Sequence, residues 1–280
     1  MKTFASMGLL REISTWEIKK QLRGVQERKF VSFTGLVDVH EYHMPYTRYE
    51  LLESAVGKSA KYRGNKILVS AGDSVNMDTY SKFHSRSTRN TAPEDEIECL
   101  VRYLKHVSKI YDKVIFLTTN HENRIKKVIQ DNIKDSDVSR SVLKQIRFLD
   151  DIFSGNNLDK VVYIDDYVFK IGRLWITHFE NNSAVPGRIG EKVKDGLNCD
   201  YGHEWDVCIQ AHTHCQSKVT FPRQTVIESG TFMSAPDYWV KSGKIKGERK
   251  STSYGYAWCR MDKGVPVEYD YRIMGWRENL

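Results

Sequence analysis

Short apolar, β-branched runs alternate along the chain with stretches of helical spacing. The runs fall at residues 31–37, 66–71, 114–118, 161–164, 167–171, 174–177, 207–211 and 225–229, each of strand length. Residues 12–28 read as an amphipathic helix. A second helix starts near Thr91, where Thr91, Pro93 and Glu94–Glu96 supply a cap, an early proline and an acidic first turn. Ile97, Leu100, Val101, Leu104 and Val107 continue it at helical spacing. Further helices fit 124–133 and 138–152, and Gly172 with Arg173 turns a hairpin. Residues 81–92 and 241–251 are polar, basic and rich in breakers, and read as loops. Buried strands separated by helices predict an α/β sheet sandwich. The reading is a helical extension over residues 1–28 followed by one domain over 29–280.

Composition narrows the setting. The chain has 280 residues, with 43 Lys and Arg against 36 Asp and Glu, a net charge of +7. That excess suits an anionic partner and is mild for a dedicated nucleic-acid binder. The five cysteines, Cys99, Cys199, Cys208, Cys215 and Cys259, form no CxxC pair. An odd, unpaired set points away from a disulfide framework and toward a cytoplasmic protein. No apolar run approaches membrane-spanning length, and the short apolar start is followed at once by a charged helical pattern rather than a cleavage signal.

The chemistry sits where the runs end. The first leads into Asp38, Val39 and His40; the second into Gly72 and Asp73; the third into Asn120, His121 and Glu122. Two later runs lead into His178 and into His212, Thr213 and His214. Open α/β sheets bind ligands beyond the carboxyl ends of their strands. One Asp or Asn there is ordinarily a turn former, and one buried His a core residue. Together the series is harder to dismiss, because five of the nine histidines fall in these short stretches. Carboxylate, imidazole and amide donors without thiolate suit Mn²⁺, Fe or Zn²⁺. Even with His121 and Glu122 set aside, the seven remaining groups exceed one tetrahedral site and suit two ions sharing a carboxylate.

In this order, Asp38-x-His40, Gly72-Asp73, Asn120-His121-Glu122, His178 and His212-x-His214 resemble the calcineurin-like metallophosphoesterase superfamily over about 180 residues. The resemblance implies a four-layer sandwich of two mixed β-sheets flanked by helices, with a dinuclear site at the strand ends. It implies two divalent ions, Mn²⁺ first, with Fe, Zn²⁺ or Ni²⁺ as alternatives. Asp38, His40 and His214 would hold one ion, Asn120, His178 and His212 the other, and Asp73 would bridge. A hydroxide between the ions would attack phosphorus in line, with His121 stabilising the transition state or protonating the leaving oxygen.

Departures from the family pattern are informative. Thr119 and Ala211 stand where the family usually has glycine. Asn76 and Met77 stand where phosphoprotein phosphatases carry an Asp that orients the catalytic histidine and a phosphate-binding Arg. Asn76, Asp78 or Glu122 is left to orient His121. Arg124, Arg86 and Arg89 are candidate substrate contacts, and residues 241–250 hold a second basic run. Tyr42, Tyr46 and Tyr80 are candidates to line a pocket, while His43, His84 and His203 read as surface or supporting residues. The expected function is a phosphodiesterase or nuclease, with DNA or RNA as candidate partners and no membrane. The alternatives are a phosphomonoesterase for a nucleotide or small phosphate, and a catalytically silent binding module.

Overall fold

In a computed structural model of the chain, the residues described are 30–44, 47–77, 80, 92–117, 119–133, 156, 158–164, 166–180, 187–233 and 253–274. The expected helices at 12–28 and 138–152 lie outside them, as do both basic loops, apart from Ala92 at the edge of the first.

The strands are β1 (Gly35–His40), β2 (Lys66–Ser70), β3 (Lys113–Leu117), β4 (Val161–Ile164), β5 (Val168–Ile171), β6 (Leu174–Thr177), β7 (Val207–Gln210), β8 (Gln216–Thr220), β9 (Thr225–Ser229), β10 (Gly255–Asp262) and β11 (Val265–Ile273). The helices are α1 (Tyr49–Ala60), α2 (Pro93–Val107), α3 (Arg124–Asn132) and α4 (Arg188–Tyr201). One sheet runs β11-β10-β1-β2-β3-β4 and the other β5-β6-β7-β9-β8. In the first, β1 to β4 are parallel, while β10 joins β1 and β11 antiparallel. In the second, β6, β7 and β9 are parallel and β5 and β8 close the edges antiparallel. Both sheets are mixed, as expected.

Three cores separate four layers. Leu51, Leu52, Ala55, Leu100, Leu104 and Val107 of α1 and α2 pack on Leu68, Val114 and Phe116 of the first sheet. Val37, Val39, Val69, Ile115 and Leu117 meet Phe169, Ile176, Val207, Ile209 and Ile227 between the sheets. Ile189, Val193 and Leu197 of α4 cover Trp175, Cys208 and Val226 on the far side. Alternating side chains along each central strand serve the two neighbouring cores, so these strands are apolar on both faces.

The strands at 161–164, 174–177 and 225–229 match the expected ranges, and Gly172 turns the β5–β6 hairpin with a φ of +54°. Three differences matter. Helix α2 has Ala92, not Thr91, at its N-cap, with no side-chain cap bond. Its first-turn Glu96 instead reaches sideways, accepting from the backbone N–H groups of Asn76 (2.7 Å) and Met77 (2.8 Å). The polar, part-exposed β8 and the pair β10–β11 add to the expected strands. Most consequential, β1 spans 35–40 rather than 31–37, so Asp38 and His40 lie inside the strand instead of beyond it.

Among the described residues no helix is long and apolar enough to cross a membrane. The five cysteines are free.

Candidate metal centre

The loops after β1, β2, β3, β6 and β7 converge. Asp73 and Asn120 each stand three residues past a strand end, His178 one past, and His212 two past. Two groups of donors form there. Glu41, His43, Asp73 and His214 offer atoms mutually within 4.8 Å, and Asp73, His178 and His212 do the same. Asp73 belongs to both.

The second group brings Asp73, His178 and His212 together, with the Asn120 side chain beside them. His178 Nδ1 lies 2.7 Å from the Ala71 carbonyl, an N–H···O contact that leaves Nε2 facing inward. That Nε2 is 3.3 Å from Asp73 Oδ2, 3.2 Å from Asn120 Oδ1 and 3.2 Å from His212 Nδ1. Burial opposes charge on His178, but the Asp73 carboxylate outweighs it and pushes the imidazole up to about 9. Protons and cations compete for such nitrogens. Gln210 steadies both strand ends: its Oε1 accepts from Thr177 Oγ1 at 2.6 Å and its Nε2 donates to the carbonyls of Phe179 and Ala211.

The first group corrects the expectation. Asp38 and His40 are in neither cluster. Both point to the α1/α2 side of the sheet, because they alternate with Val37 and Val39, which fill the core between sheets. Asp38 is buried, and its Oδ2 accepts a 2.7 Å bond from the Tyr111 hydroxyl. Burial lifts its carboxyl to about 6. His40 is wedged between Phe232 and Tyr256, ring centroids at 5.3 and 4.9 Å, and burial lowers it to about 3. Glu41 and His43, one and three residues past the strand, occupy the expected place. Glu41 Oε1 is 2.8 Å from His214 Nε2 and 3.8 Å from His43 Nε2, while Oε2 accepts from the His212 backbone N–H at 2.8 Å. Burial raises the Glu41 carboxyl, but His214 and His43 overcome that and hold it below the usual range.

His43, read from sequence as a surface or supporting residue, is therefore central and buried. Both its ring nitrogens lack a hydrogen-bond partner, as those of His40 also do, but His43 Nε2 faces two carboxylates, 3.8 Å from Glu41 Oε1 and 3.9 Å from Asp73 Oδ2. Unsatisfied imidazole nitrogens beside two carboxylates are costly unless something binds them, and a divalent cation fits that donor set. The missed signal was a second acid-x-His spacing, Glu41-x-His43, three residues after the first. His203 is exposed, as expected, and His84 lies outside the described residues.

His121 Nε2 is 3.9 Å from Asp73 Oδ2 and 3.0 Å from an Arg124 guanidinium nitrogen. Burial holds its pKa well below the usual histidine value, opposed by Asp73. Arg124 opens α3 and also donates to the Asn76 carbonyl. Glu122 does not orient His121. Its carboxylate accepts from the Ser74 N–H (2.6 Å) and the Thr119 N–H (3.1 Å), tying two site loops together. The Asn76 side chain makes no hydrogen bond, and Asp78, Arg86, Arg89 and Tyr46 lie outside the described residues. Tyr42 is a core residue against Tyr103 rather than a pocket wall, and Tyr80 packs partly on the same core.

The site loops are strained in a shared way: Asp73, Met77, His212 and His214 have φ of +54°, +50°, +75° and +57°. Non-glycine residues hold such conformations only where the surroundings enforce them, commonly at functional sites. Ala211 keeps negative φ and bonds its N–H to the Thr177 carbonyl at 2.9 Å. Gly72 has no such latitude. Its φ is +95°, and a Cβ there would stand 1.9 Å from Thr119 Cγ2. Gly72→Ala is expected to cost about 2–5 kcal/mol, from a strained φ and an overpacked contact, measured by urea unfolding. A loss under about 1 kcal/mol would show that the two loops separate freely, contrary to this packing.

No protein-family model matches the sequence, and no curated protein matches it. Solved structures align over most of the chain at low identity. An archaeal phosphodiesterase aligns at 12% identity and TM-score 0.42, covering 85% of this chain and 99% of its own. Vacuolar protein sorting 29 from Cryptosporidium parvum aligns at 12% and 0.41, over 86% and 100%. A predicted phosphoesterase from Streptococcus pneumoniae aligns at 9% and 0.32, over 86% and 99%. In its two-sheet sandwich and in the order of the donors gathered at its strand ends, the chain resembles the calcineurin-like metallophosphoesterase superfamily.

Proposed function

We propose that the protein is a metal-dependent phosphoester hydrolase that acts on phosphodiesters, with nucleic acid as the substrate class. The observation that carries this is the pair of donor clusters sharing Asp73. Glu41, His43 and His214 would hold one divalent ion, Asn120, His178 and His212 the other, and Asp73 would face both. Bound there, two such ions supply Lewis acidity and an activated water for in-line displacement. The oxygen- and nitrogen-only donor set suits Mn²⁺, with Fe, Zn²⁺ or Ni²⁺ compatible.

The chain's own residues supply the rest. His121 stands at the edge of the shared carboxylate; its Nε2 accepts from the Arg124 guanidinium, so Nδ1 carries the N–H that would donate to a transferring phosphoryl oxygen or to the leaving oxygen. Arg124, against the His121 ring, adds positive charge on the same side. The preference for diesters rests on position 77. Met77 is buried in the α1/α2 core, so no cation projects from that place to grip a terminal phosphate. The +7 charge and the basic runs at 81–92 and 241–251 favour a polyanion.

With Mn²⁺, hydrolysis of bis(p-nitrophenyl) phosphate is expected to exceed that of p-nitrophenyl phosphate by about tenfold or more. DNA binding should weaken steeply with salt, and neutralising Arg86 and Arg89 together should flatten the log–log slope by about two. Faster monoester cleavage with salt-independent DNA binding would move the assignment to small phosphates. Full metal loading without turnover on either ester would make the protein a binding module.

A further inference from the structure

Thr119 occupies the position before Asn120-His121 where a smaller residue would leave the loop open, and its hydroxyl is not idle. Thr119 Oγ1 is 2.7 Å from Asp73 Oδ1 and accepts the Asp73 backbone N–H at 2.8 Å. It also lies 2.8 Å from Glu122 Oε2. The hydroxyl carries a single proton and lies almost equally close to the two carboxylates, so it links Asp73 Oδ1 to Glu122 Oε2. The Thr119 methyl meets Gly72, whose lack of a Cβ lets the loops approach this closely. Residue 119 is thus fixed from both sides, by the Gly72 backbone and by Glu122 accepting its N–H.

The other Asp73 oxygen looks the opposite way. Oδ2 is the atom nearest His178 (3.3 Å), His212 (3.8 Å), His43 (3.9 Å) and His121 (3.9 Å). A free carboxylate can turn about χ2 and present either oxygen or both. Here one oxygen is engaged and the rotation is restrained.

We propose that Thr119 is a positioning residue for Asp73: its hydroxyl holds Oδ1, so that Oδ2 is the oxygen facing both donor clusters. This rests on the dinuclear reading above. The hydroxyl sets the pair of sites rather than touching substrate. Its removal should loosen the bridging carboxylate and weaken binding of the second ion more than the first.

The test compares Thr119→Ser with Thr119→Ala in the full chain. Both lose the methyl against Gly72, and they differ in the hydroxyl alone. Binding of Mn²⁺ is followed by equilibrium dialysis, and pairing of the two ions by the spin-coupled Mn²⁺ signal in electron paramagnetic resonance. Thr119→Ser should bind about two equivalents as the unaltered protein does, whereas Thr119→Ala should bind the second about tenfold more weakly or worse, the usual effect of losing a group that supports a ligand. The coupled signal should fall in the Ala variant and return in the Ser variant. Equal behaviour of the two variants would overturn the proposal while leaving the dinuclear site standing. Circular dichroism showing the Ala variant unfolded and the Ser variant native would also overturn it, by assigning the hydroxyl to loop stability. A protein that binds no Mn²⁺ at all would remove the dinuclear reading and this role with it.

Discussion

Glu41→Gln is expected to weaken binding of one divalent ion by more than about 100-fold, and Asp38→Asn to leave it unchanged. The two residues stand three apart, and both begin an acid-x-His spacing. Only Glu41 has its carboxylate among the converging donors, 2.8 Å from His214 and sharing a cluster with Asp73 and His43. The amide at position 41 would keep the shape and still accept the His212 N–H, so loss of the charge and of a strong ligand atom is what the variant reads. Asp38 should show itself differently. Its carboxyl moves from an ordinary 3.8 to about 6 because folding buries it. Below about pH 4 it is protonated folded or unfolded and costs nothing. Between about pH 4 and 6 the folded state holds its proton while the unfolded state releases it, so stability falls as pH rises. Above about pH 6 the cost levels at about 3 kcal/mol. Asp38→Asn keeps an acceptor for Tyr111 without that charge. It should flatten the pH dependence and raise stability at about pH 8 by up to this amount. Metal analysis of both variants, with urea unfolding at about pH 4.5 and about pH 8, decides the matter. Metal loss in Asp38→Asn with retention in Glu41→Gln would restore the strand residues as ligands.

His121→Ala should keep both ions and lower turnover by about 10²–10⁴-fold, the range for a positioned proton donor or hydrogen-bond donor. The ring is 3.9 Å from the shared carboxylate oxygen and lies outside both clusters. His178→Ala and His212→Ala should instead lose metal and activity together, because their ring nitrogens stand in the second cluster. A leaving-group series separates the two roles open to His121. If it protonates the leaving oxygen, the deficit of His121→Ala shrinks for a good leaving group such as p-nitrophenolate and grows for an alkoxide. If it stabilises charge on the phosphoryl oxygens, the deficit is nearly constant across the series. An empty site in His121→Ala would make it a ligand.

How much was readable in advance depended on whether the deciding interaction was local. Most of the strands could be placed because β-branched runs of that length, bounded by breakers, have few alternatives. The site followed from chemistry placed just past strand ends. Asp73, Asn120, His178, His212 and His214 each follow a strand whose end is marked by its own sequence, and they converge because parallel neighbours present their carboxyl ends on one edge. The polar β8, the late hairpin β10–β11 and helices α1 and α4 carry weaker local patterns and are ordered by what they pack against.

Which acid-x-His spacing enters the centre is a matter of strand pairing. In the sequence, the apolar run at 31–37 stops where Asp38 begins. In the fold, β1 is paired on one side to β2 and on the other to β10, with Asp38 level with Leu68 and Trp258. β10, near the far end of the chain, pairs as far as Val39 and β2 carries the strand through His40, which puts Glu41 just past its end. Because side chains alternate faces along a strand, that extension sends Asp38 and His40 into the aromatic core beneath the helices. The same holds for Thr119 and Glu122, whose contacts with Asp73 and Ser74 cross 46 and 48 residues. Local pattern was enough to specify an α/β sheet sandwich with carboxylate, amide and imidazole donors at its strand ends, and the division into two sheets was implied by the family resemblance. The Glu41 carboxylate and the His43 imidazole that complete the first cluster were set by long-range pairing, since only a partner strand fixes where a strand stops.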